Sequence, residues 1–522
     1  MLEPVIPACV SRAGRGSRRS PRWTLAVAVL GSSLAFLDGS FVNVALPVMQ
    51  RELGMGAGSA QWVVEAYMLL LASLVLVGGA LGDRLGRRRV FVAGAVVFAI
   101  ASVACAMAPG ALVLIAARAV QGAGAAMLVP GSLSLISAAY PDDAERGAAI
   151  GTWSALGSVV GAAGPVAGGW VVSHGSWRWL FLVNAPVAAV IVVLAGVHVA
   201  ETRDEEARGR LDASGAALVT VALGLIVYAL VEAQGAGHLA TAPVVGLLVA
   251  GFAALAAFGV VEARAASPMV PLSLFRIRTF TGANLLTLLV YGALGAAFFF
   301  LPFNLIQLQG YSPACAGAAL LPLVLLVSLM SRWAGALAAR IGVRALLVIG
   351  PVLCAVGFGL FAVPAIGGSY WATFFPAMIV LGVGLGFTVA PVTAAVMGSV
   401  ERRHAGIASG INNAVARAAG LVAIAGLGVL LVTRFDAVLD ARLASLHLPD
   451  AIAHEVDAQR GRLADATPPP DAAPALRESL RGAFGEAYVA GFRALMLACA
   501  GLTVLAAVSA AALIEGRRTK PR

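Results

Sequence analysis

The sequence predicts an all-α membrane protein with fourteen transmembrane helices, and three observations carry that prediction. Of the 522 residues, 60% are hydrophobic and only 12% are charged, with a mean hydropathy of +0.91. A soluble chain carries about 25% charged residues, so half that fraction leaves too little polar surface to cover a particle in water. Apolar stretches near the roughly 20 residues that one span needs recur from end to end. The arginines fall in alternate loops. Disordered, collagen-like and disulfide-stapled secreted chains are excluded by the same composition.

The fourteen segments are 24–47, 61–82, 90–108, 111–138, 148–172, 178–199, 213–233, 243–262, 281–306, 314–338, 345–366, 371–395, 405–433 and 488–514. An even count places both termini on one side. The arm 1–23 holds Arg12, Arg15, Arg18, Arg19 and Arg22, and the tail 515–522 holds Arg517, Arg518, Lys520 and Arg522. By the positive-inside rule both ends are cytoplasmic. The loops agree, with Arg84 and Arg87 to Arg89, Arg146, Arg203, Arg208, Arg210, Arg264, Arg276, Arg278, Arg340, Arg344, Arg402 and Arg403 all on the inner side. Only Arg51 and Arg178 lie near short outer loops. The net charge of +10 therefore reads as membrane orientation, and no nucleic-acid partner is expected. One long outer loop, 434–487, carries six arginines and nine acidic residues. It reads as short helices broken by Pro468 to Pro470, forming either a solvated cap or a lid over the outer mouth.

Several chemistries are excluded. Lys520, in the tail, is the only lysine, which rules out a phosphate-binding P-loop and an intramembrane Schiff base. The five cysteines are scattered, no CxxC or HExxH occurs, and the six histidines lie in loops or at span ends, so no metal site is supported. The chain is not expected to be an enzyme or to hold a cofactor. Uphill work must draw on a partner or an ion gradient.

An internal repeat is legible. GGALGDRLGRRR (78–89) after span 2 resembles AGALAARIGVRA (334–345) after span 10, and RGAAIG (146–151) echoes AGIASG (405–410). Spans eight apart therefore correspond. The expected domains are a six-helix bundle at 24–199, two linking helices within 200–262, and a second six-helix bundle at 263–514. Repeated halves with a site at their interface are the build of secondary transporters.

Within the spans, charged residues carry the functional argument. Asp38 sits about nine residues below the outer end of span 1, roughly 13 Å down at 1.5 Å per residue. A charge there costs at least ~2.5 kcal/mol and marks function by default. The two readings are a proton or cation site, and a structural carboxylate held by neighbours such as Asn43. Arg118 in span 4 lies at nearly the same depth, which predicts an Asp38–Arg118 interaction. Glu65, one turn into span 2, is either a second proton site or a carboxylate facing water. Glu232 and Glu262 at span ends are expected to be solvated. Arg417, near the middle of span 13, is expected in the bundle interior beside Asn412 and Asn413. In span 5, Gly157, Gly161, Gly164, Gly168 and Gly169 surround Pro165, a pattern for tight packing or for a bending hinge. Span 9 offers Tyr291, Phe298, Phe299, Phe300 and Phe303 with Asn304 and Gln307, an aromatic patch suited to a bulky apolar or cationic ligand.

Together these residues resemble the major facilitator superfamily, and within it the fourteen-span drug:proton antiporters, over about 24–514. GGALGDRLGRRR is similar to the family's inner-loop signature, with Gly79, Asp83, Arg84, Gly86, Arg87 and Arg88 matching; the resemblance implies a cytoplasmic gate latch. IAARAVQGAGAA resembles the span 4 signature with Arg118, Gln121 and Gly122, and implies proton coupling through the arginine. LDGSFVNVALP matches the span 1 signature with Asp38, Asn43 and Pro47. GPVAGG matches the exporters' span 5 signature at Gly164, Pro165, Gly168 and Gly169, with Val160 departing from its leading glycine, and favours export. PLSLFRIRTFTGAN (271–284) is similar to the family's approach to span 9.

The function expected is proton-coupled export of drugs or similar hydrophobic or cationic molecules across the cytoplasmic membrane. Asn43, Gln121, Tyr291, Phe298, Asn304, Asn413 and Arg417 are the candidate substrate contacts, and Asp38, Arg118 and Glu65 the candidate coupling residues. The partners are the substrate, protons and the bilayer, and the sequence leaves a periplasmic adaptor undecided. A proton crossing 150 mV releases about 3.5 kcal/mol, enough for a gradient of a few hundred-fold. The alternatives are an exporter of one endogenous product, such as an antibiotic or siderophore, and a channel or receptor on the same scaffold.

Overall fold

A computed structural model describes residues 20–203, 212–236, 241–265, 268–401, 405–446 and 448–515. The arginines of the arm up to Arg19, and Arg208, Arg210, Arg402, Arg403 and the 516–522 tail, lie outside the described residues, as do His238, His404 and His447.

The described residues form helices joined by short turns. They are α1 (Pro21–Glu52), α2 (Ala57–Leu85), α3 (Arg87–Ala106), α4 (Ala111–Ala139), α5 (Asp143–His174), α6 (Arg178–Leu182), α7 (Asn184–His198), α8 (Ala213–Ala236) and α9 (Ala242–Arg264). Then follow α10 (Arg278–Phe303), α11 (Pro313–Ala318), α12 (Leu321–Ile341), α13 (Val343–Phe361), α14 (Phe374–Gly398), α15 (Ala405–Ala444), α16 (Asp450–Gln459) and α17 (Pro474–Leu513). Among the described residues, thirteen helices are long and apolar enough to cross a membrane. The remaining expected span is α5, 32 residues long and packed against α1 and α11. Prolines in the first turn open α1, α9, α11 and α17, where a missing N–H costs nothing.

The packing follows the repeat. In the first half α1 packs on α5 and α7, α2 on α4, and α3 on α4 and α7; in the second α10 packs on α15 and α17, α12 on α14, and α13 on α14 and α17. These are the same pairs in the same order. The repeated turns match at the backbone as well. Gly86 (φ +110°) and Gly342 (φ +90°) each end one helix and start the next. Their amides donate to Gly82 and Ala338 at 3.1 and 3.0 Å. The fold is thus two six-helix bundles with α8 and α9 added. α8 and α9 pack on each other, and α8 also touches α2 and α15.

The bundles are joined most closely at the end that carries the 434–487 segment. One apolar core there includes Phe41, Leu46 and Val63 of the first bundle together with Phe299, Phe300 and Tyr488 of the second. Near the other end, a separate core of Val27, Phe91, Phe98 and Leu128 belongs to the first bundle alone. A Cβ on Gly169 would stand 2.1 Å from the Pro313 carbonyl, and one on Gly317 would stand 2.0 Å from that of Pro165. α5 and α11 therefore touch backbone to backbone across the bundle boundary.

Three expectations are corrected. α15 continues to Ala444 and α17 begins at Pro474, so much of 434–487 is helix extending beyond the spans; Arg442 and Glu486 pair across the two extensions at 2.5 Å. Between them, the 3₁₀ turn Arg460–Asp465 is fastened by Arg460, which reaches Asp440 at 2.5 Å, Asp457 at 2.8 Å and Asp436 at 3.6 Å. Glu262 is 2% exposed rather than solvated, because the chain folds back and Val270 N–H donates to it at 3.2 Å. Glu65 is wholly buried rather than facing water, because the 434–487 segment covers that end.

Two predictions follow from this geometry. Gly86→Ala and Gly342→Ala should both lower the thermal unfolding temperature in detergent, each costing about 1–2 kcal/mol for the left-handed backbone. The loss should be larger at Gly86, whose Cβ would lie 2.6 Å from a Glu201 oxygen, than at Gly342, where nothing lies within 4 Å. The second concerns Asp465, 3.9 Å from Arg51. Burial raises its carboxyl above the ordinary range, and Arg51 and Arg462 only partly offset this. The docked segment then binds the proton more tightly than an undocked one, so docking strengthens as pH falls. Protease cleavage within 444–474 should slow as pH falls from neutrality toward the ordinary carboxylate range near about 4, and Asp465→Asn should flatten that dependence.

Candidate functional site: a buried polar cluster and a lone arginine

Five helices of the first bundle bring six polar side chains to one point. Gly122 makes this possible: a Cβ there would lie 2.3 Å from the Tyr67 carbonyl, so α4 and α2 approach backbone to backbone. Arg118, one turn before it, then lies flat on the Tyr67 ring, 4.2 Å from its centroid. Its Nε donates to the Val63 carbonyl at 3.0 Å. Its Nη1 donates to Asp38 Oδ2 and, at 2.7 Å, to Gln121 Oε1. Arg118 and Gln121 share a face of α4 because they stand three residues apart.

The amide of Gln121 closes the circuit. Its Nε2 donates to Asp38 Oδ1 at 2.8 Å and to Ser102 Oγ at 2.9 Å. Asn184, the first residue of α7, donates to the same two oxygens at 3.3 Å each. Cys105 Sγ donates to Gln121 Oε1 at 3.7 Å. Asp38, Ser102, Gln121 and Asn184 are wholly buried and Arg118 is 1% exposed. Removing one partner from such a buried pair costs about 3–5 kcal/mol, because the other charge is left uncompensated.

Asp38 and Arg118, expected together from depth, are in contact. Asn43 is not among the carboxylate's partners; five residues on, it stands about 140° round the helix, and its buried Oδ1 has no hydrogen-bond partner. Gln121, a candidate substrate contact, is instead engaged wholly within the cluster. Sequence reasoning missed Ser102, Asn184 and Tyr67. Asn184 did carry a signal, a polar amide inside the apolar run LFLVNAPVAA, open to the same depth argument that singled out Asp38.

Glu65 forms a second, smaller site. Gln61 Nε2 donates to its Oε1 at 2.6 Å, while Oε2 is buried without a partner. Gln61 lines a small cavity with Gln50, Gln234, Phe299, Phe300 and Tyr488, closed by Leu463 from the 3₁₀ turn. Phe299, Phe300 and Phe303 serve this closure, and Phe298 is only half-buried beside it. Asn304 lies in the π-helical turn Asn304–Leu308 and accepts from Gln309 at 3.5 Å. Gln307 donates to Gln50 across the bundle boundary at 3.4 Å.

Arg417 faces the boundary from the second bundle. It is half-buried, and its buried Nε has no acceptor. The hydroxyls of Tyr67 and Tyr291 are its electrostatic neighbours. Its expected neighbours turn elsewhere: Asn412 donates to Thr287 at 2.8 Å and to Asn284 at 3.2 Å, and Asn413 donates to the Ser409 carbonyl.

The inner-loop motif is folded onto its own bundle. Arg87 grips Asp83 at 2.8 Å. Arg88 reaches Glu201 at 3.5 Å and the Val199 carbonyl at 3.3 Å. Gly79 lies against Pro130, and Arg84 sits in the last turn of α2. In span 5, Gly164 meets Ser40 and Gly168 meets Phe41 on α1. Those glycines, with Gly169, are contact surfaces, and α5 runs unbroken through Pro165.

Comparison with known proteins agrees with this architecture. The family model of the Major Facilitator Superfamily matches residues 28–424. The multidrug resistance protein Stp of Mycobacterium tuberculosis is 34% identical over 441 residues, covering 84% of this chain and 81% of that protein. The tetracenomycin C resistance and export protein of Streptomyces glaucescens is 30% identical over 97% of this chain and 93% of its own. The puromycin resistance protein of Streptomyces alboniger is 36% identical over 78% of this chain and 81% of its own. Among solved structures, an inward-facing, occupied bacterial homologue of the human lysosomal transporter Spinster superposes with a TM-score of 0.62 at 16% identity, covering 95% of this chain and 97% of that one. A fold of two matched bundles, an ionised pair buried in the first, and these relatives lead to one conclusion: the chain is a member of the Major Facilitator Superfamily.

Proposed function

We propose that this protein is a proton-coupled exporter of drug-like small molecules, working by alternating access in the cytoplasmic membrane with both termini cytoplasmic. The observation that carries the reading is the wholly buried Asp38–Arg118 pair with its amide partners. Antibiotic-resistance relatives support the substrate class, and the arginine-rich turns support the orientation. The protein acts as a transporter rather than an enzyme and uses no cofactor. An exporter of one endogenous product shares this machinery and differs only in breadth.

The cluster supplies a two-state element. With Asp38 ionised, its two oxygens accept from Arg118, Gln121 and Asn184, which ties α1 to α4 and α7. A proton on Asp38 removes the charge that holds Arg118. The guanidinium keeps the Val63 carbonyl, Gln121 and the Tyr67 face, and α1 is freed to shift against α4. Glu65, whose Oε2 is unpaired, is a second proton position nearer the closed end. The halves at 24–199 and 263–514 rock as units, with 200–262 as the link. Contact of α5 with α11 closes the outer side. The Asp83–Arg88 turn, now bound to Glu201, latches the inner side in the opposite state, and the glycines about Pro165 let α5 bend between the two. The 460–465 turn acts as a lid on the outer mouth.

In proteoliposomes with an internal pH dye, addition of tetracenomycin C should trigger proton movement in wild type and none in Asp38→Asn. Movement that survives the substitution places the proton at Glu65 instead. Asn184→Ala, which removes one hydrogen bond to the charged carboxylate, should cut coupled flux about tenfold, in line with about 1.5–3 kcal/mol for such a bond. An unchanged rate would remove Asn184 from the coupling machinery.

A further inference from the structure

We infer that Arg417 anchors an acidic group on the transported molecule, so that the substrate is an amphiphilic organic anion rather than a cation. This rests on the export reading above and names its substrate class.

Among the described residues, Arg417 lacks the partners that Arg118 has. Arg118 has a carboxylate and two further acceptors. Arg417 has no hydrogen bond or ion pair among the described residues, and its Nε is buried without an acceptor. It lies near the middle of the membrane part of α15. A guanidinium stays charged under all ordinary conditions and offers only donors. Such a group inside a membrane faces a partner or a water-filled cavity, and it marks a substrate or ion pathway.

Its surroundings describe the rest of that molecule. The tyrosines Tyr67 of α2 and Tyr291 of α10 flank it, and one turn on, Gly420 lies against Met68. These walls suit a flat aromatic or aliphatic body. The Tyr67 hydroxyl donates to the Ala35 carbonyl at 3.2 Å, and among the described residues it makes no hydrogen bond with Arg417. Glu65, also on α2, is held by Gln61 and makes no ion pair with Arg417. A cation in this space meets an uncompensated positive charge. A carboxylate or sulfonate meets a planar fork of donors that matches it two-to-two. The site also spans the moving boundary, since Tyr67 belongs to the first bundle and Arg417 and Tyr291 to the second. Tyr67 carries Arg118 on its face, so bound anion and proton site share one aromatic ring.

The test uses the purified full chain and two fluorescent probes of similar size, the anion fluorescein and the cation ethidium, read by polarisation. Wild type should bind fluorescein at least tenfold more tightly than ethidium. Arg417→Gln should lose at least tenfold in fluorescein affinity. Arg417→Glu should invert the preference and gain ethidium binding, a gain that a misfolded variant cannot show. No fluorescein binding in wild type, or affinities unchanged in Arg417→Gln, overturns the inference. Proteoliposome flux separates the two readings. Arg417-dependent fluorescein binding without proton-driven export leaves the anion site standing and removes the coupling. Proton-driven export whose fluorescein-to-ethidium ratio is unaffected by Arg417→Gln does the reverse.

Discussion

A wholly buried carboxylate or guanidinium that loses its partner is left with an uncompensated charge, at a cost of about 3–5 kcal/mol. Asp38 and Arg118 therefore fix where α1 and α4 stand, and the rest of the first bundle is arranged to let them meet. Gly122 removes the side chain that would hold α4 away from α2. α7 begins at Asn184, so that its first side chain completes the carboxylate's shell. Every charge-bearing atom of Asp38 is thereby hydrogen-bonded, and the same completeness makes the cluster sensitive to a single proton.

Without a hydrophobic force between helices in lipid, close approach of backbones supplies much of the packing. The second bundle repeats the first in this respect, with the same helix pairs and the same left-handed glycine between the second and third spans of each half. The boundary between the halves uses the device again, where Gly169 meets Pro313 and Gly317 meets Pro165. That contact closes one end of the protein, and the 3₁₀ turn at Arg460–Asp465 seals it from above. The opposing turn at Gly86 is occupied by its own bundle through Glu201. One end is closed while the other end's latch is bound elsewhere, which is the asymmetry that alternating access requires.

Arg118 and Arg417 differ in how they are held. Arg118 is compensated by Asp38 within its bundle. Arg417 has no ion pair among the described residues, and its Nε is buried without an acceptor. Tyr67 lies between them, its ring under one guanidinium and its hydroxyl in the field of the other.

The long apolar stretches and the arginine pattern determined the class of fold and its segments, because a bilayer demands long apolar helices whatever their neighbours, and the echoed turns at 78–89 and 334–345 disclosed the repeat. Depth along a helix was enough to match Asp38 with Arg118, since rise per residue is fixed. What only the tertiary structure decided was lateral. Rotation about a helix axis placed Asn43 away from the carboxylate and brought Gln121, Ser102 and Asn184 to it. Helices running on past the membrane, with short ones between them, take up most of 434–487, because arginines and acids there pair with each other across the helix extensions. The loneliness of Arg417 was also invisible in sequence: Asn412 and Asn413 stand next to it along the chain, but one faces α10 and the other bonds its own backbone, and only packing shows which partners a side chain lacks.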